Sequence, residues 1–403
     1  MNRTNFLRYL TATGLTSGYL VPHRGQAQPH NPSPAKSGAK ITAVNAYAFK
    51  NAFFVEIETD AGIAGWGEGD HEYPEVMARL LDEEFRRILV GENPFDGEYL
   101  WYRCFFKGLE AGNTGLMPGT VAALDNALWD LRGRLLNLPV HKLIGGSKNT
   151  SVRAYYSYGR ATEGGFKSPD EMARIGAQAV EQGYKTLKAR MQIRELGKNP
   201  EGDFTFKCIE AIRKTVGDGV ELFVDFNNGY TAGKAIEEGL RLYERLNVKV
   251  IEEPVSNHDY AGLRQVVEAL PCDVNAGEHE YNKWQFRDLI LHGNPDTLNL
   301  DLIKCAGLTE CRKVAALGQC FEKEIMVHNT RPTLATAASL HLCAGITNAA
   351  RVQEYSGTRL DMGLAPLFQN GLDFKDGFLS VPTGPGLGLV VNKTAMLKGR
   401  LNR

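Results

Sequence analysis

ELFVDFNNGYTAGKAIEEGLRLYERLNVKVIEEP, residues 221–254, holds two short apolar runs on either side of a helix-spaced segment, and the runs close on the carboxylates Asp225 and Glu252. The pattern recurs along the chain. TLKAR (186–190), CDVNAGEH (272–279), TLNLDLIK (297–304), EIMVHN (324–329) and AARVQEY (349–355) are further strand-like runs separated by helical segments. Their closing polar residues are Lys188 with Arg190, Glu278, Asp301, His328 and Glu354. Counted from Lys188, the gaps between successive closing residues are 37, 27, 26, 23, 27 and 26 positions. One βα unit takes roughly 25–30 residues, since a barrel of about 250 residues holds eight. The chain therefore repeats one βα unit, with SVRAYYSYG (151–159) as its first strand. Helical crossovers make such strands parallel and put every carboxyl end on one face. A doubly wound sheet also alternates β and α, but no GxGxxG follows a strand here, which disfavours dinucleotide binding.

Upstream of the repeat the pattern differs. ITAVNAYAF (41–49) and AFFVEIETDAG (52–62) read as a hairpin joined at Lys50 and Asn51, and residues 73–93 and 119–136 carry helical spacing. A small α+β domain is expected over 40–150, the barrel over 151–360, and a return of the chain to the first domain over 361–403. Residues 1–39 stand apart as leader and linker. Arg3 and Arg8 precede a weakly apolar stretch, and no acidic residue occurs before Glu56. The segment resembles a twin-arginine leader except that Thr4 stands where the second arginine belongs, so export to the periplasm is expected, with a cytoplasmic tail as the alternative. Residues 29–39 (PHNPSPAKSGA) have linker composition.

Composition narrows the function classes. Of 403 residues, 46 are Lys or Arg and 47 are Asp or Glu, a net charge of −1, which argues against a nucleic-acid or polybasic membrane surface. No uninterrupted apolar run reaches about 18 residues, so no spanning helix is expected. The seven cysteines are odd in number and lack CxxC spacing, and they read as buried free thiols rather than a disulfide framework or zinc ribbon.

The strand ends carry the chemistry. Asp225, Glu252 and Glu278 close three consecutive strands, and carboxylates gathered at one site repel each other unless a cation intervenes. Oxygen-only ligands suit Mg²⁺ first and Mn²⁺ second; the alternative is three separately solvated or Arg-paired carboxylates. His328 follows the strand after the one closed by Asp301, and an Asp–His pair raises imidazole basicity and fixes its tautomer. Lys188 and Arg190, two apart, face one side of their strand. They form either an interior salt-bridge pair with the carboxylate ring or a cationic wall beside the metal, where Lys188 with a depressed pKa could serve as a base. Glu354 either hydrogen-bonds an enolate oxygen in protonated form or pairs with a nearby Lys or Arg. A divalent cation on a substrate carboxylate, opposite a base, suits removal of the α-proton, because the dianion that forms needs charge stabilisation.

Together these residues resemble the enolase superfamily, mandelate racemase subgroup, across roughly residues 41–393. AALDNALWDLRGRLLNLPVHKLIGG (122–146) is similar to the stretch that closes the family's cap. VDFN (224–227), IEEP (251–254) and AGEH (276–279) resemble its three ligand motifs, DLIKCAGLTE (301–310) and VHN (327–329) its dyad strands, and GPGLGL (384–389) the return to the cap. The resemblance implies a (β/α)7β TIM-type barrel under an N-terminal α+β capping domain, Mg²⁺, abstraction of a proton α to a carboxylate, and self-association into a homo-oligomer. Racemases of the subgroup carry Lys-x-Lys; here the second position is Arg190, a poor base. A dehydratase needs only one residue, His328, to take the proton and return it to the leaving hydroxyl. The expected activity is dehydration of an acid sugar, an aldonate or aldarate, to a 2-keto-3-deoxy acid, with Arg190 stabilising the enolate. The alternatives are a racemase, epimerase or cycloisomerase on the same enolate, and a non-catalytic sugar-acid binder. Asn227, His279 and His71 are expected substrate contacts. The turn near Phe49–Phe53 is short where the family carries a longer lid, so either the pocket is more open or other segments cover it, with residues 66–75 and 101–117 as the candidates.

Overall fold

The computed structural model describes residues 38–146, 150–159, 167–191, 193–357 and 363–401. The expected leader lies outside the described residues. Among them no helix is long and apolar enough to cross a membrane.

The first element set is a three-stranded antiparallel sheet, β1 (Ile41–Phe49), β2 (Ala52–Thr59) and β3 (Ala64–Gly69), backed by helices. β1 and β2 pair from Ile41↔Thr59 to Phe49↔Ala52, so Lys50 and Asn51 form the whole turn. α1 (Pro74–Leu80) runs through a π turn at Leu81–Phe85 into α2 (Arg86–Leu89), matching the expected helix over 73–93. α3 (Gly97–Lys107), a helix the sequence reading did not foresee, precedes the long α4 (Leu116–Leu136) and the short α5 (Val140–Ile144). Three glycines at every second position of β3 explain how closely α4 lies on it. A Cβ on Gly65, Gly67 or Gly69 would come within 2.4 Å of the α4 carbonyl oxygens of Ala127, Ala123 and Gly119.

The second set is the barrel. In chain order it runs β4 (Ser151–Tyr158), α6 (Pro169–Glu181), β5 (Thr186–Arg190), α7 (Thr205–Val216), β6 (Glu221–Asp225), α8 (Ala232–Leu246), β7 (Val248–Glu252), α9 (Tyr260–Ala269), β8 (Asp273–Ala276), α10 (Lys283–Asp288), β9 (Thr297–Leu300), α11 (Leu308–Gln319), β10 (Glu324–Val327), α12 (Leu334–Gly345) and β11 (Val352–Glu354). Among the described residues, eight parallel strands thus alternate with seven helices. β11 pairs with β4, and a parallel bridge between Ile325 and Ala349 closes the ring. This is the (β/α)7β barrel with an α+β cap that the sequence implied.

Alternation along the strands sorts the interior into two layers. Tyr155, Phe223, Val250, Met326 and Val352 form an apolar cluster inside the barrel. Two residues further along their strands stand Asp225, Glu252, His328 and Glu354. The register aligns Arg190 with Asp225 and Asp225 with Glu252, so three strands put their ionisable ends in one row.

After the barrel, β12 (Phe374–Lys375) and β13 (Phe378–Ser380) make a hairpin, and β13 pairs antiparallel with β4. The chain then returns to the cap. Leu387 N–H donates to Asp130 Oδ1 at 2.7 Å, and Arg134 donates to the Leu389 carbonyl at 2.8 Å. A Cβ on Gly133 would lie 2.6 Å from Gly386 Cα, so this crossing admits glycine alone on both sides. The last helix, α13 (Lys393–Gly399), pins the end by Lys393, which reaches Glu56 at 2.8 Å and Glu58 at 2.6 Å.

The cap also completes barrel helices. A helix amino end leaves backbone N–H groups without intrahelical partners. Those of α11 are met by α4: Leu308 N–H donates to Asn126 at 3.1 Å, and Thr309 N–H to Asp125 at 2.7 Å. At α12, Glu68 of β3 accepts from Ala335 N–H at 2.8 Å and from the Thr333 hydroxyl at 2.5 Å. All seven cysteines are free, and only Cys320 is exposed.

Candidate active site

A cavity of about 380 Å³ opens at the carboxyl ends of the strands. Barrel residues Arg190, Glu278, His279, Lys304, His328 and Glu354 line it together with Asp70, His71 and Glu72 from the cap. Of the two expected covers, the segment 66–75 reaches the cavity, whereas residues 101–117 do not line it. The Lys50–Asn51 turn does not line it either.

Asp301 and His328 meet as expected. His328 Nδ1 lies 2.7 Å from Asp301 Oδ2, and Asp301 Oδ1 accepts the Ile303 N–H at 2.9 Å. The carboxylate is therefore fixed by its own loop before it orients the ring. His328 Nε2 faces the carboxylates, 3.4 Å from Glu278 Oε2 and 4.0 Å from Glu354 Oε2. Burial works against the imidazolium, but Glu278, Glu354 and the Asp301 hydrogen bond outweigh it and raise His328 above the usual histidine range.

Lys188 is buried and its ammonium donates to Glu252 Oε1, with Glu354 Oε1 3.7 Å away. Burial favours the neutral amine, yet Glu252 and Glu354 prevail and hold Lys188 well above the ordinary lysine range. That placement favours the interior ion pair with the carboxylate ring, one of the two readings of Lys188 drawn from the sequence, over a depressed lysine base. Arg190 Nε stands 3.5 Å from Asp225 Oδ2. Glu354 likewise carries two readings. Its Oε2 accepts the Asn329 N–H at 2.9 Å, and although burial raises its pKa, Lys188, His328 and that N–H lower it below the usual range, which favours the pairing with Lys188 over a protonated donor.

Asp225, Glu252 and Glu278 are all buried at successive strand ends. Burial pushes Asp225 up to about 6, with Lys188 opposing and Glu278 adding to the rise. Burial and the neighbouring carboxylates likewise raise Glu252 despite Lys188. Glu278 goes the other way, held well below the usual range against burial by His328, Lys304 and His279. Their oxygens have protein partners: Asn227 donates to both oxygens of Asp225 at 2.7 Å, and Asn275 donates to Glu252 Oε2 at 3.0 Å. The three-residue set whose ligand atoms all lie within 4.8 Å of one another, among the described residues, is Glu253, Glu278 and His279. His279 Nδ1 is 2.5 Å from Glu253 Oε1.

His279 and His71 stand on the cavity wall. Asn227 does not; it is fully buried, with a left-handed backbone (φ 46°) that turns its amide onto Asp225. Sequence reading missed Lys304 and Asp70. Lys304 sits in the loop after Asp301 and donates to the Glu278 carbonyl at 3.4 Å. A lysine at the end of the apolar run DLIK was the available signal. Asp70, next to His71, accepts the His71 backbone N–H at 2.7 Å.

Barrel, cap and strand-end acid–base groups define an enzyme of the enolase superfamily. The family models agree on both parts. The "Enolase C-terminal domain-like" model matches residues 171–395, and the "Mandelate racemase / muconate lactonizing enzyme, N-terminal domain" model matches residues 31–145. The chain belongs to the mandelate racemase/muconate lactonizing enzyme family. Among curated relatives, it is 28% identical to the arabinonate dehydratase of Saccharolobus solfataricus over 338 residues, 83% of this chain and 87% of that one. It is 29% identical to the D-xylonate dehydratase of Haloferax volcanii over 388 residues, 91% and 90% of the two chains. Among solved structures, a mandelate racemase/muconate lactonizing protein from Paracoccus denitrificans complexed with magnesium superimposes with a TM-score of 0.81, at 29% identity, covering 90% of this chain and 98% of that one.

Proposed function

We propose that this hydro-lyase is a magnesium-dependent acid-sugar dehydratase, acting on an aldonate or aldarate to give a 2-keto-3-deoxy acid. The observation that carries the reading is the His328 imidazole, held by Asp301 at 2.7 Å with its other nitrogen turned toward the carboxylates of Glu278 and Glu354. The aldonate dehydratases among its relatives support the reaction class.

The donor set fits a hard divalent cation. Three buried carboxylates stand at adjacent strand ends, where burial first and the neighbouring carboxylates second raise Asp225 and Glu252, and oxygen ligands of this kind suit Mg²⁺, with Mn²⁺ second. Asp225, Glu252 and Glu278 would hold it. Bound there, the ion would offset the charge that develops on the substrate carboxylate as the α-proton leaves.

The chain's own residues do the rest. Asp301 keeps the proton of neutral His328 on Nδ1, leaving the Nε2 lone pair free to accept the α-proton. Arg190, which cannot give up its proton, donates toward the enolate and does not exchange protons with it. The imidazolium then protonates the β-hydroxyl, the C–O bond breaks, water leaves, and His328 returns to its neutral form. The enol product tautomerises to the 2-keto-3-deoxy acid. One residue serves as base and then as acid, so no second base is needed opposite His328.

The test is a panel of aldonates and aldarates with Mg²⁺, read by semicarbazide trapping of 2-keto acids. Release of a 2-keto acid from at least one member is expected. Exchange of the α-proton in D₂O with inversion and no 2-keto acid would reassign the enzyme as an epimerase.

A further inference from the structure

The cap places a fixed negative charge on the cavity wall, at Asp70. This carboxylate is buried, and burial would raise its pKa, but the adjoining His71 and the Lys304 ammonium lower it below the usual range. Its Oδ1 accepts the His71 backbone N–H at 2.7 Å and lies 3.0 Å from His71 Nδ1. Glu72, two residues on, adds a second carboxylate at the exposed rim. Lys304 offsets one of these charges, and its own hydrogen bond goes to a backbone carbonyl and not to a carboxylate; of the other cations on the wall, Arg190 stands 3.5 Å from Asp225 and Arg194 3.4 Å from His279 Nε2.

The strand ends form the floor of the cavity, where the reacting carboxylate is held. Cap residues therefore meet the part of the substrate that extends away from the reacting carbon. There the cap's Asp70, a charged acceptor, and the barrel's Lys304, a charged donor, face the same cavity. A hydroxyl both donates and accepts, so it satisfies such a pair; a carboxylate only accepts and is repelled by Asp70. Like charges set against each other in a partly desolvated site oppose binding.

We propose that Asp70, with Lys304 beside it, is a specificity determinant that reads the hydroxyls of the substrate tail and excludes a second terminal carboxylate, so that the site takes aldonates and rejects aldarates. The inference rests on the acid-sugar reading but goes beyond it, because the barrel chemistry alone handles either class.

The test uses matched pairs that differ only at the terminal carbon: D-gluconate with D-glucarate, D-galactonate with galactarate, and D-xylonate with xylarate. Binding to the full-length His328→Asn protein in Mg²⁺ is measured by calorimetry, so the comparison does not depend on turnover. For the best-bound pair, the aldonate is expected to bind about tenfold or more tightly than the aldarate. Asp70→Asn should shrink that ratio several-fold, chiefly by strengthening aldarate binding, and Lys304→Met should widen it. Opposite movement of one ratio separates specificity from a general loss of fold, and if Asp70→Asn does not fold, the parent ratio and Lys304→Met decide. Equal or tighter aldarate binding, a ratio that Asp70→Asn leaves unchanged, or binding of neither class overturns the proposal. Failure of the wild-type enzyme to release any 2-keto acid, with the binding ratio as expected, would instead remove the dehydratase reading and leave the selectivity standing.

Discussion

At His328 the environment makes a definite kinetic demand. Its pKa is raised by Glu278 and Glu354 and by the hydrogen bond it donates to Asp301, so as a base it becomes competent as pH climbs through that raised value. Replacing Asp301 by Asn removes one of the raising influences. The rate should fall, and the acid limb of the kcat/KM profile should move to lower pH; a limb at the wild-type position would break the dyad. His328→Asn should cost about 10²–10⁴-fold or more in kcat, the range for a lost general acid–base, while calorimetry finds Mg²⁺ affinity little changed. Substantial remaining turnover would take the proton-transfer role away from His328. Legibility in the sequence divides along the same line. His328 and Asp301 could be found because each closes a strand in a regular series. The environments of Glu354 and Lys188 could not, because each depends on partners from other strands, Glu252 and Glu354 around Lys188 and Lys188 beside Glu354. Lys304 and Asp70 lie in loops, where no period marks them.

Among the elements, the seam between α5 and α12 carries a pair of imidazoles with no part in the proposed chemistry. His141 and His341 stack with ring centroids 5.2 Å apart, and their Nδ1 atoms lie 3.1 Å from each other. Burial and the neighbouring His141 lower His341 to about 3, and burial with Lys142 lowers His141 as well. Both pKa values are depressed from an unfolded value near 6.5, so the fold binds these rings neutral. Their stabilising contribution is complete above about 6.5 and is lost as pH falls toward the folded value. The thermal midpoint should therefore drop between pH 6.5 and 4, and His341→Leu should flatten that part of the curve relative to wild type. Parallel curves for the two proteins would show that the pair is not what titrates. The barrel strands were readable because alternation and a spacing near 26 residues coincide. Helix α3 was not, since its run of aromatic residues faces several neighbours at once: Trp101 stacks on Phe105 at 4.9 Å, and Tyr102 packs on Phe106 at 4.6 Å. The β12–β13 hairpin escaped because strands of two and three residues carry no period.

For the molecule as a whole, cap and barrel share their cores. Tyr47, Phe54 and Trp66 of the cap sheet belong to the same apolar cluster as the barrel's Leu187, Val224 and Ile251. A ligand that binds only the folded chain should therefore shift the melting of the entire body. Stabilisation by mass action is about 2.7 kcal/mol at a hundredfold excess over Kd. Mg²⁺ should raise Tm, EDTA should reverse the rise, and Glu252→Gln should abolish most of the Mg²⁺-dependent increment whatever it does to the apo Tm. An increment of wild-type size in Glu252→Gln would reject Glu252 as a ligand.

The crossing of Gly133 and Gly386 sets a schedule for biosynthesis. Asp130 is buried in the cap helix, yet of its donors Leu387 lies close to the end of the chain, while Trp66 and Arg134 come from the cap itself. A nascent polypeptide that has released only its amino-terminal half from the ribosome holds that carboxylate with one backbone donor missing and its apolar surroundings uncovered. The seam can seal only after the ribosome has added a glycine-rich segment 257 positions downstream of Asp130, so the cap above the reaction chamber is locked long after its own helix has been translated.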